Sequence, residues 1–208
     1  MSYIGTQPNN VKKNIGLYNP NEILQLTKDG SWGGSLELIQ SQTVSDVSSV
    51  AFTSIKENKY DVHYLQITNF QQDQANNYGM RFLLSNDGGS SYETSNYAMA
   101  YFNLTSGGST TDNKDTSRTH FQSTVVSADK DTDATSRGGG FIYMYNAGNS
   151  SKYTLQTNHS YSEGTTIGLA FGGASYDVAE TINAFKLDDW GLGYGIWGTF
   201  DLFGVKQL

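Results

Sequence analysis

Short runs in which apolar and polar residues alternate follow one another along most of this chain, and a period of two predicts β-strands. In one run, Val50 and Phe52 fall on one side while Ala51 and Thr53 fall on the other, as in a pleated strand. No stretch has convincing helical periodicity. The pattern predicts strands at residues 36–43, 48–55, 60–70, 78–85, 94–104, 118–127, 138–146, 151–161, 164–172, 181–188 and 197–206.

The stretch Asn86–Ser91 is the clearest turn signal in the chain. It supplies Gly88 and Gly89 for backbone conformations with positive φ, and an apolar strand-like run flanks it on either side. We therefore predict a β-hairpin at this point. Because similar signals recur between the other runs, the fold class is predicted to be all-β, an antiparallel β-sandwich.

Several predicted strands are apolar on both faces. Phe141, Tyr143 and Tyr145 share one side of a strand whose other side carries Ile142 and Met144. In a sandwich strand that contacts water on one side, apolar and polar residues alternate more regularly than they do here. Some outer faces are therefore expected to be covered by other protein surface. Neighbouring subunits are one candidate, and a larger core with overlying loops is the other.

The first 34 residues differ from the rest of the chain. They contain Pro8 and Pro20. The stretch 32–34 (Trp-Gly-Gly) ends the segment and is predicted to act as a hinge between it and the rest of the chain. We predict an extended N-terminal attachment arm at residues 1–34, which orders on a partner, followed by a sandwich domain at residues 35–208. A poorly ordered terminus is the alternative. The candidate arm contacts are Ile4, Ile15, Leu17, Tyr18 and Ile23.

Composition and charge narrow the class of protein. The 208 residues include 23 Gly and only 2 Pro, which suits short strands joined by turns, and the length suits one large domain. A net charge of −7 argues against nucleic acid as a partner, because few cations are present to neutralise phosphates. Without Cys there are no disulfides or thiolate metal sites. No apolar run is long enough for a signal peptide or for membrane insertion.

Two long polar stretches, Thr105–Ser117 and Ala128–Gly140, interrupt the predicted strands. Loops of this length in a compact sandwich are usually functional or mobile. They are therefore candidate recognition surfaces.

Alternating acidic residues in the second of these stretches superficially resemble the start of a calcium loop. Asp129, Asp131 and Asp133 have that spacing, but Ala134 and Gly140 stand where the helix-loop-helix pattern needs Gly and a bidentate Glu. A solvated acidic loop is the preferred interpretation, and a surface calcium site of another kind is the alternative. No metal or other cofactor is predicted.

Candidate catalytic residues do not form a recognisable set. His63, His120 and His159 are far apart in sequence, and no nucleophile elbow or phosphate-binding loop is present. Glycoside hydrolysis needs a pair of carboxylates, one of them with a raised pKa, and no pair is singled out by the pattern. We therefore predict that the chain is not an enzyme. The acidic residues considered are Glu180, Asp188, Asp189 and Asp201.

Aromatic residues in or beside predicted loops are candidates for surface recognition. Tyr and Trp offer large, stiff, amphipathic surfaces that suit contacts with carbohydrate or protein. Each has the alternative role of filling the core. These residues are Tyr92, Tyr97, Trp190, Tyr194 and Trp197.

A set of stretches in order across residues 35–208 carries a resemblance to a known family: 36–43, 52–55, 60–65, 81–90, 182–185 and 198–206. Taken together they resemble bacteriophage virion structural proteins with a jelly-roll, C1q-like β-sandwich. The resemblance implies a virion component, commonly trimeric, that serves as a tail fibre, a head fibre or a capsid decoration protein. The resemblance assigns no catalytic role to any residue of this chain, because the family shares no catalytic motif.

The leading hypothesis is therefore a trimeric fibre or receptor-binding component of a phage particle. Its arm would dock on other virion proteins, and its sandwich loops would contact a host-surface glycan or protein. The alternative is a capsid decoration, cement or tail structural protein without receptor binding. An enzyme that degrades polysaccharide is a third hypothesis, which needs a carboxylate pair that the sequence does not reveal.

Overall fold

The computed structural model describes residues 20–21, 24–25, 35–73, 79–122, 135–163, 167–190 and 192–206. Internal contacts divide the chain into two compact units, Met1–Ser35 and Leu36–Leu208. The second unit contains all of the strands given below. The candidate arm contacts Ile4, Ile15, Leu17, Tyr18 and Ile23 lie outside the described residues, as do Asp129, Asp131 and Asp133.

The strands of the second unit form two antiparallel sheets. The larger sheet has eight strands in the order β1-β12-β3-β8-β9-β10-β5-β6, and the smaller sheet has four in the order β2-β11-β4-β7. The strands are β1 (Leu36–Val47), β2 (Ser49–Phe52), β3 (Val62–Gln72), β4 (Arg81–Ser85), β5 (Tyr97–Thr105), β6 (Thr110–Arg118), β7 (Phe121–Gln122), β8 (Gly138–Tyr145), β9 (Tyr153–Ser162), β10 (Gly168–Ala179), β11 (Ala184–Asp188) and β12 (Ile196–Val205).

The core lies between the two sheets. Phe82 on β4 stacks on Phe185 of β11, with ring centroids 4.5 Å apart, and both rings are buried. Leu65 on β3 and Leu202 on β12 contribute from the larger sheet to the same buried cluster. The prediction of an all-β, antiparallel β-sandwich is confirmed, and the period of two that predicted it is visible in the burial along β12. The jelly-roll connection order stays a prediction.

The predicted hairpin at Asn86–Ser91 is wrong, although the turn itself is present. Gly88 and Gly89 have φ of +74° and +89°, as the turn signal requires. However, β4 belongs to the smaller sheet and β5 to the larger one, so the chain crosses between sheets here instead of folding back on its own strand. The Asn183 side-chain oxygen accepts a hydrogen bond from the Gly88 N–H at 2.8 Å, which ties the turn to the segment before β11.

The first polar stretch is also different from the prediction. Residues 110–118 form β6, which pairs with β5, so the predicted loop over Thr105–Ser117 is wrong for most of its length. Its polar sequence suits an edge strand, because charged and polar side chains on an edge oppose pairing with other chains. In the second stretch, Ala128–Gly140, β8 begins at Gly138, and residues 128–134 lie outside the described part.

Candidate functional site

The two sheets differ in what covers their outer faces, meaning the faces turned away from the core. On the smaller sheet, Leu83 is only 3% exposed although it points away from the Phe82 side. Beside it, Lys186 is paired in register and places its ammonium 4.7 Å from the Tyr92 ring centroid. The loop after β4 therefore folds back along this sheet, and that face corresponds to the prediction of a core with overlying loops.

The outer face of the larger sheet carries most of the exposed apolar surface. Eleven large apolar side chains among the described residues are between 42% and 56% exposed, and nine of them belong to strands of the larger sheet or to residues next to those strands. These nine are Leu36, Leu38, Leu104, Tyr153, Leu155, Tyr161, Ile167, Leu169 and Phe171.

The size of this apolar surface can be compared with that of known interfaces. A large side chain that is half exposed leaves about 90 Å² uncovered, so nine of them leave roughly 800 Å². The largest apolar patch on a typical monomer is about 300–600 Å², whereas one partner of a standard interface contributes about 800 Å². The outer face of the larger sheet therefore has the apolar area of a protein interface.

Aromatic rings run across this outer face from β12 to β5 in a connected series, which we call the ring cluster. Neighbouring rings have centroids between 4.9 and 6.2 Å apart, in tilted, edge and stacked arrangements. Such distances are favourable for aromatic pairs. The register places the rings side by side, because Phe102, Phe171, His159 and Phe141 are successive cross-strand partners. The ring cluster comprises Tyr64, Phe102, Phe141, Tyr143, Tyr145, His159, Phe171 and Phe203.

Strand β9 has its polarity reversed relative to an ordinary sandwich strand. Its inward side chains are polar and buried, from Thr154 and Gln156 to Ser162. Its outward side chains include Leu155 and Tyr161, which are 42% and 49% exposed. Within the described residues, neither Gln156 amide atom has a hydrogen-bond partner, and burying such a group carries a free-energy cost. The exposed apolar side chains on its outward side favour an outer face that is covered.

A groove of about 270 Å³ opens on the outer face between β3, β8, β9 and β10. It is lined by aromatic, aliphatic and uncharged polar side chains and by Gly140. The groove lies at the level of Thr68 and Tyr161, at one end of the sheet, whereas β1 begins at the other end, where Leu36 pairs with Val205.

The five aromatic residues predicted for surface recognition occupy different environments. Tyr97 is wrong as a surface residue, because it is fully buried on β5 and its hydroxyl accepts a hydrogen bond from the Leu84 N–H at 3.0 Å. Burial raises its pKa above the usual range for tyrosine. Tyr92 is half-buried beneath Lys186. These two residues therefore have structural contacts that the loop prediction did not include.

The remaining three recognition candidates are half-buried near the end of β11 and the start of β12. The Trp190 indole N–H donates to the Gly79 carbonyl, and the backbone of Trp190 has φ of +72°. The Tyr194 N–H donates to the Asp189 carboxylate. Trp197 lies against Gly195, where an added Cβ would be 2.7 Å from the indole Cζ3. These side chains pack against their own chain and leave only part of each ring accessible.

The acidic residues considered for hydrolysis each interact with another kind of group. Asp188 accepts two hydrogen bonds from Arg81, at 2.6 and 2.8 Å, and it lies 3.2 Å from the Lys186 ammonium. Asp201 accepts from the Ser41 hydroxyl. Glu180 accepts from the Tyr176 hydroxyl at 2.8 Å. With Asp189 accepting from the Tyr194 N–H, each of the four carboxylates has a hydrogen-bond partner within the chain.

Two of the three histidines are buried structural residues. His63 shares a 2.8 Å hydrogen bond with the Ile55 carbonyl, and burial lowers its pKa. Burial also lowers the pKa of His120 to about 4, and the positive charges of Arg81 and Arg118 act in the same direction. His159 is different, because it is exposed in the middle of the ring cluster. The sequence pattern did not single out His159, since it gave no indication of which face of β9 is outward.

No described group of three or more His, Asp or Glu side chains is arranged to hold a metal ion. In the part of the chain that the structure describes, no helix has both the length and the apolar character needed to cross a membrane. Comparisons of the chain with protein-family models, with curated proteins and with solved structures found no match.

Proposed function

We propose that this chain is a non-enzymatic structural protein of a bacteriophage virion. In this proposal it is a trimeric fibre or receptor-binding component, held on the particle by the arm of residues 1–34 and in contact with a host-surface glycan or protein. The ordered stretches that resemble phage jelly-roll proteins support the class of protein. The observation that carries self-association is the outer face of the larger sheet, with the apolar area of one side of a standard interface.

The ring cluster supports self-association in a second way. Rings that already contact one another on a sheet lose little conformational entropy when a partner covers them. A second copy is an economical partner, since identical copies are present together at synthesis and most soluble oligomers are closed assemblies of one chain. The resemblance implies a trimer, and three copies that join through unlike surfaces can close into a ring.

A capsid decoration or tail structural role without receptor binding is the second candidate. It is favoured by the burial of Tyr97 and by the intramolecular contacts of Tyr92 and Trp190, which leave less of the predicted recognition surface accessible. In this role the arm supplies the attachment, and the exposed loops make no specific contact.

The test of this proposal has two measurements. Light scattering of the purified full chain should give three times the 22.8 kDa chain mass at micromolar concentration. A monomer under these conditions would refute self-association. Gold-labelled antibodies against the chain should then mark particles of the phage that encodes it. Label at the tail tip or on fibres supports receptor binding, label over the shell supports decoration, and the absence of the chain from purified particles refutes the virion assignment.

A further inference from the structure

The middle of the larger sheet carries almost no charge. Its five central strands, β3, β8, β9, β10 and β5, contain a single Asp, Asp177 near the end of β10, and no Glu, Lys or Arg. On either side of them, β12 carries Asp201, and β6 carries Asp112 and Lys114 among its charged residues. A core depleted of charge inside a charged rim is typical of a protein–protein interface. The centre of the proposed contact between copies is therefore expected on β8, β9 and β10.

His159 lies at the centre of this uncharged region. Its strand, β9, is the middle one of the five, and its side chain is exposed. Phe141 on β8 and Phe171 on β10 are its cross-strand partners, and their rings make edge contacts with the imidazole at centroid distances of 5.7 and 5.8 Å. A second copy that covers the outer face at this point therefore covers the imidazole together with the two rings.

No charged side chain of the same subunit lies next to the imidazole on the outer face. Cross-strand pairing places Asp201 and Asp112 in the same row as His159, each three strands away. At about 4.8 Å between neighbouring strands, each carboxylate is roughly 14 Å from the imidazole, which exceeds the Debye length of about 8 Å at physiological ionic strength. The neighbours of the imidazole on β8, β9 and β10 are Phe141, Tyr143, Thr157, Tyr161, Leu169 and Phe171, of which only the two tyrosines can ionise.

The charge of a histidine changes under mild conditions, between pH 8 and pH 5. In the free chain, water can solvate the protonated imidazole of His159, because the side chain is exposed. Under a second copy, the same charge would lie among aromatic rings with no carboxylate of its own subunit beside it, and burying such a charge costs free energy. We infer that a second copy covers the β8–β9–β10 face with His159 neutral, so that protonation of His159 releases the assembly in mild acid.

This inference rests on the self-association proposed above, and it adds the region of contact and a dependence on pH. The free chain holds a proton that the assembly excludes, so dissociation is favoured as the pH falls. Over the range in which the free imidazole is protonated, association weakens about tenfold per subunit for each pH unit.

The test is light scattering over a dilution series of the full chain at about pH 8 and about pH 5.5, with circular dichroism as the measure of folding. The wild-type chain should need at least a tenfold higher concentration to assemble at the lower pH. His159→Phe cannot take up a proton and should assemble equally at both. His159→Lys is charged throughout and should stay monomeric even at pH 8, where no acid acts on the fold. His120→Gln is the matched control, because it removes a histidine that is buried within its own subunit, and it should keep the wild-type dependence.

The outcomes separate this inference from the proposed function. A wild-type trimer with the same mass at both pH values, or an assembled His159→Lys variant at pH 8, overturns the inference and leaves the proposed trimer standing. Dissociation in acid that persists in His159→Phe, or that is lost in His120→Gln, assigns the effect to another group and also overturns it. Stronger assembly at pH 5.5 would mean that a carboxylate of the second copy faces His159, which contradicts a neutral centre. A wild-type monomer at pH 8 refutes the proposed self-association, and the inference with it.

Discussion

Replacing Phe171 on the outer face by lysine is expected to dissociate the proposed oligomer without unfolding the subunit. Phe171 is 50% exposed, so a partner that covers it removes about 100 Å² of apolar surface from water. At about 25 cal/mol per Å², this contributes about 2.5 kcal/mol in each subunit, or about 7.5 kcal/mol in a trimer. Burying the lysine charge at the same place adds a further penalty of several kcal/mol.

The fold of the subunit should tolerate this change, because the Phe171 side chain points away from the core and the added chain extends into solvent in the monomer. The assay is light scattering over a dilution series, combined with thermal unfolding followed by circular dichroism. Ser150→Lys is the control, since it adds the same charge at an exposed turn between β8 and β9. The reasoning is refuted when Phe171→Lys keeps the wild-type mass at every concentration, or when Ser150→Lys dissociates the assembly equally.

Three further predictions concern stability. Phe82→Ala removes a fully packed ring from the stack on Phe185 and should lower the free energy of unfolding by about 3–5 kcal/mol, measured with urea. Asp188→Asn breaks the bidentate pair with Arg81 and leaves a partly buried charge, which should cost about 3 kcal/mol in the same assay. Because the folded pKa of His120 is lowered to about 4, the unfolded chain takes up its proton first as the pH falls from 6.5. Stability should therefore drop by about 2 kcal/mol between pH 6.5 and 4, and His120→Gln should remove part of that drop.

Each of these predictions has a result that contradicts it. A loss below about 1 kcal/mol for Phe82→Ala would mean that the two sheets do not share a close-packed core. An unchanged urea midpoint for Asp188→Asn would remove the structural role of the pair. A wild-type stability that is flat between pH 6.5 and 4 would contradict the burial of His120 and of His63, whose pKa is lowered for the same reason. The stability of the His120→Gln variant retains the dependence due to His63.

The strand pattern could be predicted from sequence because it follows from local alternation. Val50 and Phe52 point inward, as their spacing predicted, and the short runs near 62–72 and 196–205 are strands with shifts of only a few residues. The positive φ values at Gly88 and Gly89 are local too, since few other residues adopt them readily. Backbone geometry of this kind depends on residues that are neighbours in the chain, so it can be predicted from the local sequence.

The pairing of strands could not be predicted from local sequence in this way. The turn at Asn86–Ser91 looks like a hairpin turn, yet β4 and β5 belong to different sheets, because Asn183 and β11 hold this region from a distance of about a hundred residues. The polar run of β6 gave no strand signal, since an edge strand needs only the hydrogen bonds of β5 and no apolar side chain of its own.

The candidate site also depends partly on features that the sequence predicts and partly on how the strands pair. From the sequence alone came the all-β class, the excess of aromatic residues and the expectation that some outer faces are covered. Only the tertiary structure decided that β9 turns Leu155 and Tyr161 outward and Gln156 inward, because alternation divides a strand into two faces without saying which one meets the core. Register across β8, β9 and β10 then brought Gly139, Phe141 and His159 together, and such a meeting of distant residues exists only once the strands have paired.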